Sequence, residues 1–402
     1  MNLHSATVTR RRFLAALGGG VAAVVLAACG VERSAQPTAS GSAATLSPTD
    51  TPSPQPSPTP GPSLRERIGQ MLLVGFRGLT VDAAAEIAAD IRERNLGGIL
   101  LFDTDQPTHS AIRNVQSPAQ LTALVTGLQA LADTPLLVAI DEEGGLVARL
   151  DQRHGFPPTI SEADLGARND VAFTTQAGRQ LGETLASVGV NLNLAPVVDL
   201  NVNPTNPIIG ALGRSFSADP AVVTAQAEAF VSGHRAVGVH TTLKHFPGHG
   251  SSTGDTHLGV VDVTPTWSRK ELEPFANLVR DGLADVILTA HVFNATLDPD
   301  NPATLSQPTI TGILRQQIGW DGVVISDDMQ MGAIRQAYGY PDAVRLAILA
   351  GVDILTIAQQ QVFETGIVAT TIDLIEGMVA DGSLTEARID ESYTRIQALK
   401  AR

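Results

Sequence analysis

Eight short apolar runs, each separated from the next by enough chain for a helix, constrain this sequence more than any other feature. They are "MLLVGF" (71–76), "GGILLF" (97–102), "PLLVAI" (135–140), "VNLNLAP" (190–196), "TTLKHF" (241–246), "DVILTA" (285–290), "GVVISD" (322–327) and "GVDILTI" (351–357). The runs are aliphatic or β-branched and mostly lack polar alternation, the pattern of strands buried on both faces. Helix-like stretches such as "VDAAAEIAADIRERN" and "DAVRLAILA" lie between them. Eight strands in βα alternation predict an α/β fold, a (β/α)8 TIM barrel, with an open doubly wound sheet as the competing arrangement. With 43% hydrophobic and 17% charged residues, the chain can fill such a core.

The polar residues favour the barrel. Barrel chemistry collects at the C-terminal ends of the strands. Asp141-Glu142-Glu143 follow the third run, Asn193 and Asp199 attend the fourth, and Lys244-His245 end the fifth. His291 follows the sixth run and Asp327-Asp328 end the seventh. Five successive strands thus deliver polar groups at one end.

The predicted catalytic domain spans residues 63–402. Ser63-Leu64-Arg65-Glu66 has the form of a capping box placed directly after Pro62. Upstream, residues 31–62 are rich in Ser, Thr and Pro, so residues 29–62 are expected to be a disordered linker. Fully extended, such a tether reaches on the order of 100 Å at ~3.1 Å per residue. Residues 1–28 read as a signal peptide. Arg10, Arg11 and Arg12 precede an apolar run from Phe13 to Ala28 that is short for a membrane span, and "TRRRFL" resembles a twin-arginine export signal. Leu26-Ala27-Ala28-Cys29 resembles a bacterial lipobox, which makes Cys29, the sole cysteine, a lipidation site and the membrane a partner. An ordinary signal anchor with an incidental cysteine is the plainer alternative. A net charge of −14 and the lack of a basic stripe argue against nucleic acid as a partner.

The densest chemistry lies in "KHFPGHGSSTGDTHLG" (244–259). His245 and His249 have the spacing of a helical metal pair, with His291 as a possible third ligand, but Pro247 and Gly248 between them forbid the helix. A phosphate cradle needs its glycines to open a helix, and this run continues as a polar loop. Proton transfer is the third reading. Asp255 and His257 are two residues apart, so in an extended segment they point the same way. The carboxylate would hold one ring nitrogen, fix the tautomer and raise the imidazole from its ordinary value near 6.5. Gly254 and Gly259 bracket the pair, as suits a loop that closes over substrate. A plain surface histidine beside a solvated aspartate fits the same residues. Asp327 stands where the seventh run breaks into the mouth, in position for a nucleophile, with Asp328 as a candidate helix N-cap.

"KHFPGHG…DTH" together with "ISDDM", "IDEEGGLVARL" and "GRSFSADP" resembles glycoside hydrolase family 3, in its NagZ-like β-N-acetylhexosaminidase branch, from about Ser63 to the end. The resemblance implies a TIM barrel and a retaining mechanism through a covalent glycosyl-enzyme intermediate. It implies Asp327 as nucleophile, His257 as acid/base and Asp255 as its orienting carboxylate. Asp141, Arg149, Arg214, Lys244 and His245 would bind a terminal N-acetylglucosamine of peptidoglycan fragments or chitooligosaccharides. No metal or other cofactor is expected. Glu142 departs from the glutamine that the family often carries there. The usual retaining pair of carboxylates is replaced by one carboxylate and the Asp255–His257 dyad. A neutral histidine would not repel phosphate, so a phosphorylase is an alternative outcome. A β-glucosidase or β-xylosidase of the same family, a metal-dependent barrel hydrolase, and a surface lipoprotein that binds sugar without cleaving it are the other rivals.

Overall fold

The computed structural model describes residues 61–402; the expected signal peptide, Cys29 and nearly all of the expected linker lie outside the described residues. The described chain opens as expected. Ser63 caps the helix Leu64–Gln70, its hydroxyl accepting from the Glu66 amide while the Glu66 carboxylate accepts from the Ser63 amide at 2.6 Å. Both exchanges satisfy N–H groups that the first helical turn leaves free.

Ten strands follow: β1 (Leu72–Gly75), β2 (Gly98–Leu101), β3 (Leu137–Ile140), β4 (Leu192–Asn193), β5 (His240–Phe246), β6 (Val261–Asp262), β7 (Val286–Thr289), β8 (Val292–Phe293), β9 (Val323–Ile325) and β10 (Leu355–Ile357). Eight of them pair in parallel in the order β10-β1-β2-β3-β4-β5-β7-β9. Each of the eight apolar runs supplies one. The ends of the row meet through a parallel bridge between Ile325 and Ile354, where the Ser326 amide donates to the Ile354 carbonyl at 2.9 Å. The result is a nearly closed eight-stranded parallel barrel of the (β/α)8 kind. An open doubly wound sheet would reverse its strand order partway across, and this one does not.

The eight barrel strands are buried from end to end, except that His240 at the start of β5 is half-buried. Side chains such as Leu73, Ile99, Leu243, Ile287, Val324 and Leu355 fill the core and exclude water. The fourth run yields only two residues of regular strand. Pro196 has no N–H to donate, yet its carbonyl accepts from the Lys244 amide at 3.3 Å and the Val198 amide donates to the Lys244 carbonyl at 2.7 Å. Pairing with β5 therefore continues past the proline and carries Asp199 to the mouth. β6 and β8 form a separate parallel pair that fastens the loops after β5 and β7.

At the opposite rim, the buried Asp353 carboxylate takes Arg315 at 2.7 Å, Arg388 and Arg395 at 3.3 Å each, Ser392 at 2.9 Å and the Val324 amide at 3.0 Å. It joins the ends of β9 and β10 to the C-terminal helix Glu386–Lys400, leaving the mouth end free for chemistry.

Candidate active site

The loop Asp141 to Leu150 after β3 turns back on itself at two glycines. Gly144 and Gly145 have φ of +99° and +61°, and a Cβ on Gly144 would sit 2.2 Å from the Ile160 carbonyl oxygen. Only glycine fits there. The turn brings the Glu142 carboxylate under the loop, where one oxygen accepts the amides of Arg149 (2.7 Å) and Leu150 (2.9 Å). The other oxygen, Oε1, is buried without a partner. Burial pushes Glu142 up to about 7 against those two amides.

The same loop sends Asp141 and Glu143 toward β5. The Lys244 ammonium lies 2.6 Å from Asp141 Oδ1 and 2.7 Å from Glu143 Oε1. The Arg214 guanidinium grips Glu143 with two donors, at 2.7 and 2.8 Å, and donates to the Ile208 carbonyl at 2.6 Å. Burial opposes the charge on Glu143, but Arg214 and Lys244 hold it ionised and well below the carboxylate range. Conversely, burial works against both cations while the acids raise them: Glu143 and Asp141 for Arg214, Asp141 and Glu143 for Lys244. The four groups form a fixed lattice of alternating charge, suited to reading sugar hydroxyls bidentately.

His245 is held from behind. Asp199, fully buried, accepts from His245 Nδ1 at 2.7 Å and from the His249 amide at 2.7 Å. Burial would raise Asp199, but the two imidazoles and the amide hold it below its ordinary value. The turn that returns the chain to His249 contains Gly248 at φ +119°, where a Cβ would meet the Glu271 side chain at 2.5 Å. Glu271 accepts the Gly250 amide at 3.1 Å and the Ser251 amide at 3.3 Å, and so pins the turn.

Asp255 and His257 do meet, by a different geometry from the extended one expected. Residues 255–258 form a turn, closed by the Leu258 amide donating to the Asp255 carbonyl at 3.1 Å. Asp255 Oδ1 accepts both the His257 amide (2.8 Å) and the ring Nδ1–H (2.7 Å). This is an Asx turn, which local chemistry favours over a strand. In the neutral form of the ring this leaves the lone pair on Nε2, and the side chain is 51% exposed. The loop is closed down here: the Gly332 amide (3.3 Å) and the Gln361 amide side chain (3.1 Å) both donate to the His257 carbonyl.

Asp327 lies two residues beyond β9, with Oδ1 accepting the Asp328 amide at 2.8 Å. Burial would raise it, but the imidazoles of His291, His245 and His257 and that amide keep it below its ordinary value, hence ionised at neutral pH. Asp328 is not the helix cap suggested by its position; Met331 precedes the helix Gly332–Tyr338. The Asp328 carboxylate instead accepts the amides of Gln330 (3.1 Å) and Ala358 (3.0 Å), tying the turn to the end of β10. Burial raises Asp328 to about 6. His291 spends both ring nitrogens in this scaffold, on Thr304 and on the Asp328 carbonyl, each at 2.9 Å. It is thereby committed to the protein rather than free as a metal ligand.

All of this opens on one cavity of about 210 Å³, lined by Asp141, Arg149, Arg214, Lys244, His245, His257 and Asp327 among others. Seven of the eight residues expected at the site thus share it; Asp255 stands behind His257. Arg149 is the loosest, its Nε 3.9 Å from Asp103 and otherwise without a partner. A larger groove, about 610 Å³, lies on the outside against the helix Val171–Ser187. Its walls are mostly Phe, Pro, Ile and Leu and pair no acid with a base, so the chemistry belongs to the mouth.

Glu143, Glu271 and the service of Asp199 to His245 escape sequence reading. Glu143 lies two residues from Asp141 in the same motif, which is a signal of a kind. Glu271, by contrast, lies 21 residues from the amide it binds, and nothing local marks it.

An ionised carboxylate and an acid-steadied imidazole facing one sugar-sized cavity define a class of barrel hydrolases that act on glycosidic bonds. Comparison with known proteins narrows this. The family model for the glycosyl hydrolase family 3 N terminal domain matches residues 63–399. Beta-hexosaminidase A of Pseudoalteromonas piscicida is 35% identical over 290 residues, 67% of this chain and 47% of that protein. A family 3 beta-N-acetylglucosaminidase structure from Paenibacillus sp. str. FPU-7 superposes with a TM-score of 0.77 at 35% identity, covering 85% of this chain and 62% of that one. The beta-N-acetylhexosaminidase of Beutenbergia cavernae gives 0.75 at 32% identity, covering 85% and 99%. The chain spans about half of the first of these relatives and nearly all of the last. It belongs to glycosyl hydrolase family 3.

Proposed function

We propose that the protein is an exo-acting β-N-acetylhexosaminidase that removes terminal N-acetylglucosamine from peptidoglycan fragments or chitooligosaccharides with retention of configuration. The observation that carries this reading is the shared opening of Asp327 and His257 onto a cavity of about 210 Å³, room for one sugar ring with its linkage pointing outward.

Asp327 attacks the anomeric carbon as the C1–oxygen bond breaks, and the imidazolium of His257 gives its Nε2 proton to the departing oxygen. His257 is then neutral and takes a proton from water as that water displaces Asp327 from C1. Asp255 supports both stages by holding Nδ1–H. Asp141, Arg149, Arg214, Lys244 and His245 bind the terminal sugar. The relatives named above for beta-N-acetylhexosaminidase or beta-N-acetylglucosaminidase activity support the substrate class. The arginine-led apolar leader and the lipobox-like Leu26–Cys29 support export and a lipid anchor at Cys29 on the outer side of a bacterial membrane.

The test is a panel of aryl glycosides with and without phosphate. Wild-type protein should cleave the aryl β-N-acetylglucosaminide in preference to the glucoside and xyloside, and Asp327→Asn should abolish turnover. His257→Ala should slow poor leaving groups far more than good ones. Equal slowing with both would defeat the acid role, and phosphate-dependent turnover would replace hydrolysis by phosphorolysis.

A further inference from the structure

The turn that carries His257 is fastened through its backbone, to the connections that follow β9 and β10. The Thr256 carbonyl accepts the Ala333 amide at 3.2 Å. The His257 carbonyl accepts the Gly332 amide at 3.3 Å and Gln361 Nε2 at 3.1 Å. The Leu258 carbonyl accepts Gln336 Nε2 at a long 3.5 Å. The side chains beyond Thr256 add little: Leu258 is 76% exposed, and a Cβ on Gly259 would meet nothing within 4 Å.

The helix Gly332–Tyr338 has no side-chain cap, because Met331 stands where a Ser, Thr, Asp or Asn would accept its first amides. The carbonyls of Thr256 and His257 accept them instead. This helix follows Asp327 in the same connection, so the acid/base turn is docked on the segment that bears the nucleophile. Docking requires close approach. A Cβ on Gly332 would lie 2.8 Å from the His257 carbonyl oxygen and 3.1 Å from the Leu258 carbonyl carbon, both backbone atoms of the turn. Only glycine admits them.

Gln361 is presented from a braced base. In the connection after β10, the Gln359 amide donates to Gln330 Oε1 at 2.8 Å, and Gln359 Oε1 accepts the Glu364 amide at 2.7 Å. Arg335, on the helix, pairs with Glu364 at 2.8 Å. The connections after β9 and β10 are thus tied to each other, and the His257 turn rests on both. Proton donation works only within hydrogen-bond reach of the departing oxygen, so a displacement of the turn costs rate without touching the groups around the terminal sugar.

We propose that Gln361 and Gly332 are positioning residues for acid/base catalysis. Gln361 donates to the His257 carbonyl and Gly332 admits that carbonyl against the helix, which together fix the reach of Nε2 to the bond that Asp327 attacks. This rests on the glycosidase reading, with His257 as acid/base. The experiment measures kcat/KM of the full chain on two aryl β-N-acetylglucosaminides, a dinitrophenyl one whose leaving group departs unaided and a phenyl one whose leaving group needs a proton. Gln361→Met keeps the side-chain length and removes the donor; it should lower the phenyl value about five- to tenfold, the worth of one hydrogen bond. The dinitrophenyl value should change less than about twofold on that scale. Gly332→Ala should show the same contrast, and if it fails to fold, Gln361→Met decides alone. In a His257→Ala background neither substitution should lower the phenyl value further, since no ring is left to position. Equal losses on the two leaving groups, a loss that persists in full without the imidazole, or an unchanged phenyl value in Gln361→Met would each overturn the inference. If His257→Ala itself slows both substrates equally, the acid role fails first, and the inference falls with the functional reading beneath it.

Discussion

Glu142→Gln should make the protein more stable, by an amount that grows as pH rises above about 4.5 and levels off past about 7. The Glu142 carboxyl is completely buried, with one oxygen accepting two amides and the other accepting nothing. Burial lifts it from 4.5 to about 7. A carboxyl whose folded value is raised binds its proton more tightly folded than unfolded. Stability is therefore fully present below 4.5 and is lost as pH climbs to about 7. At ~1.4 kcal/mol per pH unit the loss approaches about 3 kcal/mol above pH 8. Glutamine never ionises and keeps an oxygen for the Arg149 and Leu150 amides. It also adds a donor where the orphaned oxygen sat, near Asp103, whose Oδ1 likewise lacks a hydrogen-bond partner. Thermal and urea unfolding of parent and variant should coincide near pH 5 and separate by pH 8. For a domain of this length, about 3 kcal/mol amounts to roughly 4 °C in Tm. A separation independent of pH, or a variant less stable at pH 8, would refute the argument that Glu142 is held uncharged at neutral pH by burial.

Glu143→Gln removes the anion between Arg214 and Lys244 and leaves two cations facing each other; kcat/KM on the aryl N-acetylglucosaminide should fall more than about tenfold, with a stability loss of about 3 kcal/mol measurable by urea titration. Asp353→Ala strips a buried acceptor from Arg315, Arg388 and Arg395 at the far rim. It should cost about 3–5 kcal/mol in unfolding experiments while leaving KM of the surviving folded enzyme unchanged. Cys29→Ser should shift the expressed protein from the membrane fraction to the soluble one without altering turnover of the aryl substrate; retention in the membrane would point to the apolar leader as the anchor.

The eight strands and the end of the barrel that carries the chemistry are legible in the sequence because both depend on local pattern. Apolar runs such as Leu137–Ile140 can only be buried, and the polar residue that ends each run must surface at the same rim once the runs are parallel. The Asp255–His257 pair is legible for a similar reason, although a turn rather than an extended strand joins it. Three-dimensional closure alone decides which distant group serves which. Lys244 meets Asp141 across 103 residues, Arg214 meets Glu143 across 71 and His245 meets Asp199 across 46. Such partners leave no periodicity behind, since their spacing in sequence is only the length of whatever helix and loop intervene. The protonation of Glu142 and the charge of Asp327 belong to that second level: they are set by burial and by neighbours that come within a few ångströms only when the barrel closes.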